Sequence, residues 1–156
     1  MFGPIKTKAI IFTRRKLPNI NLTINGSNIE TVKSHRFLGV ILDRTLTWKP
    51  HITYLKKRCE KDLNMLKIIG SHKWGADLRT LRKVYISIIL SKINYGLFLY
   101  SVSCKYNLKM VETIQSTAQR IILKALRCSK TEHLNILSNI LPIRLQADKQ
   151  LAKYTC

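Results

Sequence analysis

The acidic residues are the first candidates for chemistry, because two carboxylates sharing a site can hold two metal ions about 3.5 to 4 Å apart and drive phosphoryl transfer. The chain has only 8 Asp and Glu residues among 156. Its aspartates are scattered, and no two acidic residues are adjacent: Asp43, Asp62, Asp77 and Asp148. Each is predicted to lie at a strand end, on a helix surface or at a helix cap. The sequence therefore predicts no metal site and no cofactor in this chain.

Histidine and cysteine offer no alternative site. The four histidines lie in four different predicted elements, without a Cys, Asp or second His at ligand spacing: His35, His51, His72 and His133. The four cysteines form no CxxC pair, and no signal peptide leads the chain. These features predict free thiols and an intracellular location, in the nucleus or the cytoplasm.

The net charge of the chain indicates what kind of partner it binds. Lys and Arg number 28, for a net charge of +20, which indicates binding to a nucleic-acid backbone or to an anionic membrane. The apolar stretch from Val84 to Val102 raises the question of a membrane span. Its central Lys92 costs about 2.5 to 3.5 kcal/mol to insert, so a buried helix is favoured and no membrane partner is expected.

Short strands are predicted first. Residues Ala9 to Thr13 are β-branched and aromatic, and Ile20 to Ile24 alternate apolar with polar before Asn25-Gly26, which favours a type I′ hairpin turn. Residues Thr31 to Leu42 form a further extended stretch, interrupted by Gly39. A glycine within a strand marks a bulge or a close backbone approach.

From Thr47, a plausible helix cap, the apolar period changes to three and four residues, and a first helix is predicted to run until Gly70. A second, highly buried helix is predicted from Leu78 to Tyr95, capped by Asp77. Three more follow, the fourth opened by a capping box of Ser129 with Glu132. The prediction is an α+β fold, with short antiparallel strands in residues 1–46 and a bundle of four to five helices in residues 47–156.

The stretch from His35 to Ile52 carries the motifs Phe37-Leu38-Gly39 and Leu46-Thr47-Trp48. In this it resembles the end of the palm and the start of the thumb in reverse transcriptases of non-LTR (LINE-type, jockey-like) retrotransposons. The segment from Lys6 to Phe12 is similar to the strand that follows the catalytic Asp-Asp hairpin in this family. Downstream resemblance continues through Leu81 to Gly96, and further motifs match in the same order: Ile114-Gln115, Arg120-Ile121-Ile122 and Leu141-Pro142-Ile143.

The resemblance implies an RNA-directed DNA polymerase whose fingers, remaining palm and catalytic Asp-Asp motif lie upstream of Met1. In the intact enzyme that motif would bind Mg²⁺. Lys6 would assist the leaving pyrophosphate. The chain alone is expected to be inactive, with zero primer extension in Mg²⁺. Whether it is an enzyme by itself is therefore uncertain. Its expected partners are an RNA–DNA or DNA duplex and the upstream part of the parent polymerase.

Three groups of residues are candidates for binding that duplex. By resemblance, Phe37, Leu38 and Gly39 form a turn beside the primer end; the alternative is a strand bulge with Phe37 in the core. Trp48 is a candidate for stacking on a base, or else a packing anchor. The remaining candidates are basic residues of the first helix, which are otherwise a solvated face: Lys56, Lys57, Arg58, Lys61 and Lys67.

The functional prediction is thus a reverse-transcriptase fragment that retains primer-grip and thumb regions. Two alternatives remain open. One is a small, non-catalytic, basic helical protein that binds nucleic acid. The other is an amphipathic protein of the membrane surface.

Overall fold

The computed structural model describes residues 7–15, 21–24, 26–71 and 75–155, with side chains up to residue 153. The chain forms two compact units, Met1–His51 and Ile52–Cys156. Strands occupy the first unit and helices the second, so the predicted α+β class is confirmed. Among the described helices, none is both long and apolar enough to cross a membrane.

The first unit contains a three-stranded sheet in the order β1-β3-β2, formed by Lys8–Ala9, Leu22–Ile24 and Ser27–Thr31. Strands β2 and β3 are antiparallel, and Ile24 pairs with Ser27. Two residues therefore join these strands, as predicted for Asn25-Gly26. Gly26 has a φ of 76°, whereas Asn25 lies outside the described residues. Strand β1 pairs with β3 in parallel, an arrangement that the sequence did not predict.

A second sheet contains the antiparallel strands β4 (Ser34–Phe37) and β5 (Val40–Asp43). Their register runs from Ser34 opposite Asp43 to Phe37 opposite Val40. Leu38 and Gly39 are consequently the two central residues of a hairpin turn. The predicted single extended stretch with a bulge is wrong, because the chain reverses direction at Gly39 instead of continuing.

Helix α1 (Lys49–Ile69) begins two residues after Thr47 and ends just before Gly70, as its apolar pattern predicts. Its buried residues recur at steps of three and four: Ile52, Leu55, Cys59, Leu63 and Leu66. Gly70 permits a tight helix end, since a Cβ there would lie 3.1 Å from the Leu66 carbonyl oxygen.

The second helix is continuous from Leu78 to Asn94, but it is not regular. It comprises α2 (Leu78–Val84), a π-helical turn (Tyr85–Leu90) and α3 (Ser91–Asn94). Its buried residues include Leu81, Tyr85, Ile89 and Ile93, which confirms the prediction of a highly buried helix. Lys92 does not face lipid but pairs with Asp62 of α1, with Nζ 2.7 Å from Oδ2.

Gly96, with a φ of 73°, ends this helix, and an unpredicted short helix α4 (Leu97–Tyr100) follows. Three helices complete the unit: α5 (Lys105–Leu123), α6 (Thr131–Ser138) and α7 (Ile143–Thr155). The predicted capping box at Ser129 is wrong, because α6 has Lys130 at its N-cap and no side-chain capping bond. Polar packing holds α5 to α6, where the buried Gln119 amide donates to Asn135 Oδ1 at 2.8 Å and to Ser138 Oγ at 3.1 Å.

Candidate nucleic-acid interface

The tip of the β4–β5 hairpin is apolar, exposed and strained. Leu38 has a φ of 45° and Gly39 a φ of 87°, as in a type I′ turn. Asn or Gly usually occupies the first central position, because a side chain with a Cβ costs about 1 to 2 kcal/mol in this conformation. The Leu38 side chain is 76% exposed and that of Phe37 is 61% exposed. The structure therefore presents two large apolar side chains on a narrow turn.

This geometry decides between the two structural interpretations of Phe37-Leu38-Gly39. The alternative of a bulge with Phe37 in the core is wrong, because Phe37 is mostly exposed and the residues form a turn. Contact with a primer stays a prediction. The sequence signal that could have revealed the hairpin is Gly39 itself, at the second position of a two-residue turn flanked by apolar residues.

A second turn, from Asp43 to Trp48, leads from β5 into α1 and is built around one carboxylate. Asp43 Oδ2 accepts hydrogen bonds from the Thr45 and Thr47 hydroxyls and from the Thr47 backbone N–H, at 2.8 to 2.9 Å. Oδ1 accepts the Trp48 backbone N–H at 2.9 Å. Burial alone would raise the pKa of the Asp43 carboxyl, but these hydrogen bonds outweigh it and leave the pKa below its ordinary value.

Sequence reasoning assigned Asp43 only to a strand end and missed this positioning role. The available signal was the spacing Asp43-x-Thr45-x-Thr47, since Asp and Thr side chains readily bond to backbone groups in turns. His51 is a second positioning residue that the sequence did not reveal. It is buried, its Nδ1 accepts the Ile41 backbone N–H at 3.3 Å, and burial lowers its pKa.

Trp48 lies inside the fold. Its φ is 63°, its backbone is bonded to Asp43, and its side chain is only 7% exposed. Little ring surface is left for a base, and the burial agrees with the packing-anchor interpretation. Stacking of Trp48 on a base stays a prediction.

The basic residues of α1 are all exposed, but they do not form one face. At about 100° per residue, Lys57 and Lys61 lie about 160° from Cys59, which is at the centre of the buried stripe. Lys56 and Lys67 lie about 60° to 80° to one side of that stripe, and Arg58 about 100° to the other. Positive charge thus surrounds the solvent side of the helix. Such an arrangement can attract phosphates without fixing a single line of contacts.

Two of these cations border a groove of about 440 Å³ between α1 and α5. Lys56 and Lys67 lie on its α1 side, and Thr113 and Thr117 lie on its α5 side. Lys56 also approaches Glu60, with Nζ 4.0 Å from Oε1. On the other flank, the Arg58 guanidinium lies 5.7 Å from the centre of the Tyr54 ring. The lining also includes the carboxylate of Glu60, so the two cations are partly offset within the groove.

The described acidic residues do not fit Mg²⁺. Both oxygens of Asp43 are hydrogen-bonded, Asp62 pairs with Lys92, and Glu112 pairs with Arg144 at 2.7 Å. Within the described ranges, no three His, Cys, Asp or Glu residues come close enough to hold a metal ion. The predicted leaving-group residue Lys6 lies outside the described residues.

The sequence of the chain is similar to that of several known polymerases. Over 122 residues the chain is 26% identical to the probable RNA-directed DNA polymerase from transposon BS of Drosophila melanogaster. Over 117 residues it is 26% identical to the RNA-directed DNA polymerase from mobile element jockey of Drosophila funebris. The chain is similar to the reverse transcriptases of non-LTR retrotransposons. The resemblance stated from the sequence is thus confirmed.

The likeness extends to a Pol polyprotein of the type-1 retrotransposable element R1 from Bradysia coprophila, at 21% identity over 133 residues. These matches cover 75 to 83% of the chain but only 13 to 14% of each relative. The chain therefore spans about one seventh of the length of these curated relatives. No protein-family model matches it, and no solved structure does.

Proposed function

We propose that this chain corresponds to the last palm strands and the thumb of a non-LTR retrotransposon reverse transcriptase, and that it holds an RNA–DNA primer–template. The observation that carries the proposal is the exposed, strained apolar tip at Phe37 and Leu38. It lies within the motif on which the resemblance rests. We assign residues 1–46 to the palm and residues 47–156 to the thumb and the connection after it.

In this proposal the hairpin tip positions the primer end. Leu38 and Phe37 contact the apolar faces of the terminal sugars, and the absence of a side chain at Gly39 lets a phosphate approach the backbone. Backbone strain at an exposed position persists when the surrounding structure imposes it, and such strain is found at binding sites. The turn is short and paired on both sides, so it can hold a fixed position on the primer.

Helix α1 supplies affinity without sequence preference. Lys56, Lys57, Arg58 and Lys61 neutralise phosphates of the duplex, and the release of condensed counterions drives binding. The net charge of +20 supports this role. Because phosphates carry no base identity, the helix would accept any template.

We place the metal-binding carboxylates outside the 156 residues, in the upstream fingers and palm with which this chain would associate. Asp43, Asp62 and Glu112 are already engaged in hydrogen bonds or ion pairs, and we expect that the chain alone does not extend a primer. Lys6 remains the proposed counterpart of the residue that assists the leaving pyrophosphate. Mg²⁺ would bind in the intact enzyme only.

The second candidate is a non-catalytic, basic protein that binds nucleic acid through its helical unit alone. This unit has its own core, with Ile52, Leu66, Leu81, Ile93 and Leu97 fully buried. A self-contained core of this kind favours independent folding. In that case the hairpin tip would contribute nothing to binding.

Fluorescence anisotropy with an RNA–DNA hybrid tests both candidates. We expect binding that weakens steeply with salt, with a log–log slope of about 0.9 per neutralised phosphate. Phe37→Ser should weaken binding about tenfold to a hybrid with a recessed primer end, and much less to a blunt hybrid, since it removes apolar contact at the primer end. Ile136→Ser is the control, because Ile136 on α6 is an apolar residue that is even more exposed than Phe37.

The two variants separate the candidates. Equal effects of Phe37→Ser on recessed and blunt hybrids, or no effect on either, would favour the non-catalytic protein. Absent binding, or binding that does not respond to salt, would eliminate both.

A further inference from the structure

A pocket of about 340 Å³ lies between the second helix and α7, beside the loop that joins α6 to α7. No residue of α1 lines it, so it is distinct from the α1–α5 groove. All of its lining residues belong to the helical unit. Nothing in the proposed duplex-binding role uses it.

The π-helical turn builds one wall of this pocket. Arg82, Ile86, Leu90 and Asn94 all line it, at intervals of four residues. In a regular α-helix each such interval advances about 40° around the axis, so the four side chains would diverge. The wider turn at Tyr85–Leu90 reduces this advance and brings them to one pocket. Turns of this kind are rare and are often found at functional sites.

The facing wall is unexpectedly polar. Gln146, Lys149, Gln150 and Lys153 of α7 line the pocket at helical spacings of three and four, which place them on one side of the helix. Gln146 is buried and Gln150 half-buried, whereas Lys149 and Lys153 are exposed one turn apart. Both lysine charges would attract an anion placed between the walls.

The other polar groups of the pocket are largely held by hydrogen bonds, whereas the buried Asn94 Oδ1 has no hydrogen-bond partner among the described residues and would accept one from a donor on the ligand. The Arg82 guanidinium donates from Nε to the Ser138 carbonyl oxygen and from Nη2 to that of Asn139, both at 2.8 Å. The Leu141 carbonyl oxygen accepts from the Gln146 amide at 2.6 Å. Nearby carbonyl groups are therefore already bonded, and the guanidinium is held in place. None of the described lining residues is acidic.

We propose that this pocket binds a phosphate group carried on a partly apolar body. Arg82, Lys149 and Lys153 contact the phosphate, and Ile86 and Leu90 contact the attached sugar or base. Arg and Lys are the side chains that recognise phosphate, and a volume of this size suits a nucleotide. The phosphate comes either from a free nucleotide or from the backbone of a single-stranded nucleic acid. The site does not depend on the proposed duplex-binding function.

Isothermal titration calorimetry at constant ionic strength tests the site, with adenosine monophosphate, adenosine and a short oligothymidylate as probes. We expect the monophosphate to bind and adenosine not to bind. The double variant Lys149→Gln, Lys153→Gln should weaken monophosphate binding at least tenfold. The matched control Lys105→Gln, Lys109→Gln removes the same charge from two exposed lysines one turn apart on α5, outside the pocket, and should leave monophosphate binding unchanged.

A second variant covers the case in which the α7 substitutions unfold the helix. Ile86→Glu keeps all three cations but adds a carboxylate to the wall, so it should also abolish binding; Ile136→Glu is its control. If the pocket variants lose monophosphate binding and the controls do not, the pocket is a nucleotide site. If the pocket variants lose only oligothymidylate binding, the pocket binds the backbone of a single strand. Either result supports the phosphate assignment. The proposal is overturned if neither probe binds, or if pocket and control variants weaken binding equally.

Discussion

The hairpin tip and the Asp43–Trp48 turn both contain non-glycine residues with positive φ, yet the two turns differ in how that strain is held. At the second turn, Leu46 has a φ of 51° and Trp48 a φ of 63°, and the Asp43 carboxylate accepts four hydrogen bonds across the same residues. At the tip, Leu38 has a φ of 45° on an exposed turn that ends in Gly39. One turn is organised around a buried carboxylate, and the other presents exposed apolar side chains.

Strain at the Asp43 turn has a structural explanation, because the bonds to the carboxylate recover its cost and direct the chain into α1. Strain at the tip comes with exposure of apolar surface, which adds nothing to folding. We therefore assign the Asp43–Trp48 turn to stability and propose that the hairpin tip serves binding.

Asp43→Ala should lower the free energy of unfolding by about 2 kcal/mol, because it removes the shared acceptor of four hydrogen bonds, of which the one from the Trp48 backbone N–H is buried. Urea unfolding followed by circular dichroism measures this change. Asp148→Ala is the control, since Asp148 is exposed on α7 and should change stability by less than about 0.5 kcal/mol. Similar losses for both variants would show that Asp43 does not organise its turn.

Leu38→Asn should raise the free energy of unfolding by about 1 kcal/mol, because Asn tolerates a positive φ better than Leu. The same variant should weaken binding of a recessed hybrid about fivefold, because it removes apolar contact. Leu46→Asn is its control at a φ of 51° in the other turn, and should stabilise the protein without changing binding. Unchanged binding for Leu38→Asn would remove the tip from the interface.

Acidification should produce a smaller effect, confined to stability. Burial holds the pKa of His51 below its ordinary value near 6.5, so the unfolded chain takes up a proton before the folded chain does. The contribution of neutral His51 to the free energy of unfolding is complete above about pH 6.5. It is lost as the pH falls through the pKa that His51 has in the folded protein. For Asp43, whose pKa is also lowered, the loss begins only below about pH 4.

Thermal melting between pH 7.5 and 5 separates these two groups. His51→Asn should flatten the pH dependence, because the Asn oxygen can still accept the Ile41 N–H but does not titrate. An unaltered pH dependence in this variant would assign the loss to another group.

Helices were easier to predict from this sequence than the turns that position the candidate site. Helix α1 was recovered from Ile52 to Gly70 because its buried residues follow one local period. The local pattern of residues 31–42 missed the β4–β5 hairpin, which only the resemblance indicated as a turn. Leu38 is an unusual residue for its conformation, and strand pairing rather than local preference imposes it. The capping box at Ser129 fitted a local pattern, yet the helix begins at Thr131.

Residue types and their spacing were sufficient to determine the α+β order, the strongly positive charge and the resemblance to reverse transcriptases, because each is a property of local sequence. Only the tertiary structure decided that Phe37 is exposed, that Trp48 is buried, and that Asp43 holds a turn. It alone brought Arg82 and Lys149 to one pocket across a π-helical turn. Burial and the pocket depend on contacts between residues distant in sequence, which local periodicity does not encode, whereas the Asp43 turn rests on local hydrogen bonds that an apolar period does not reveal.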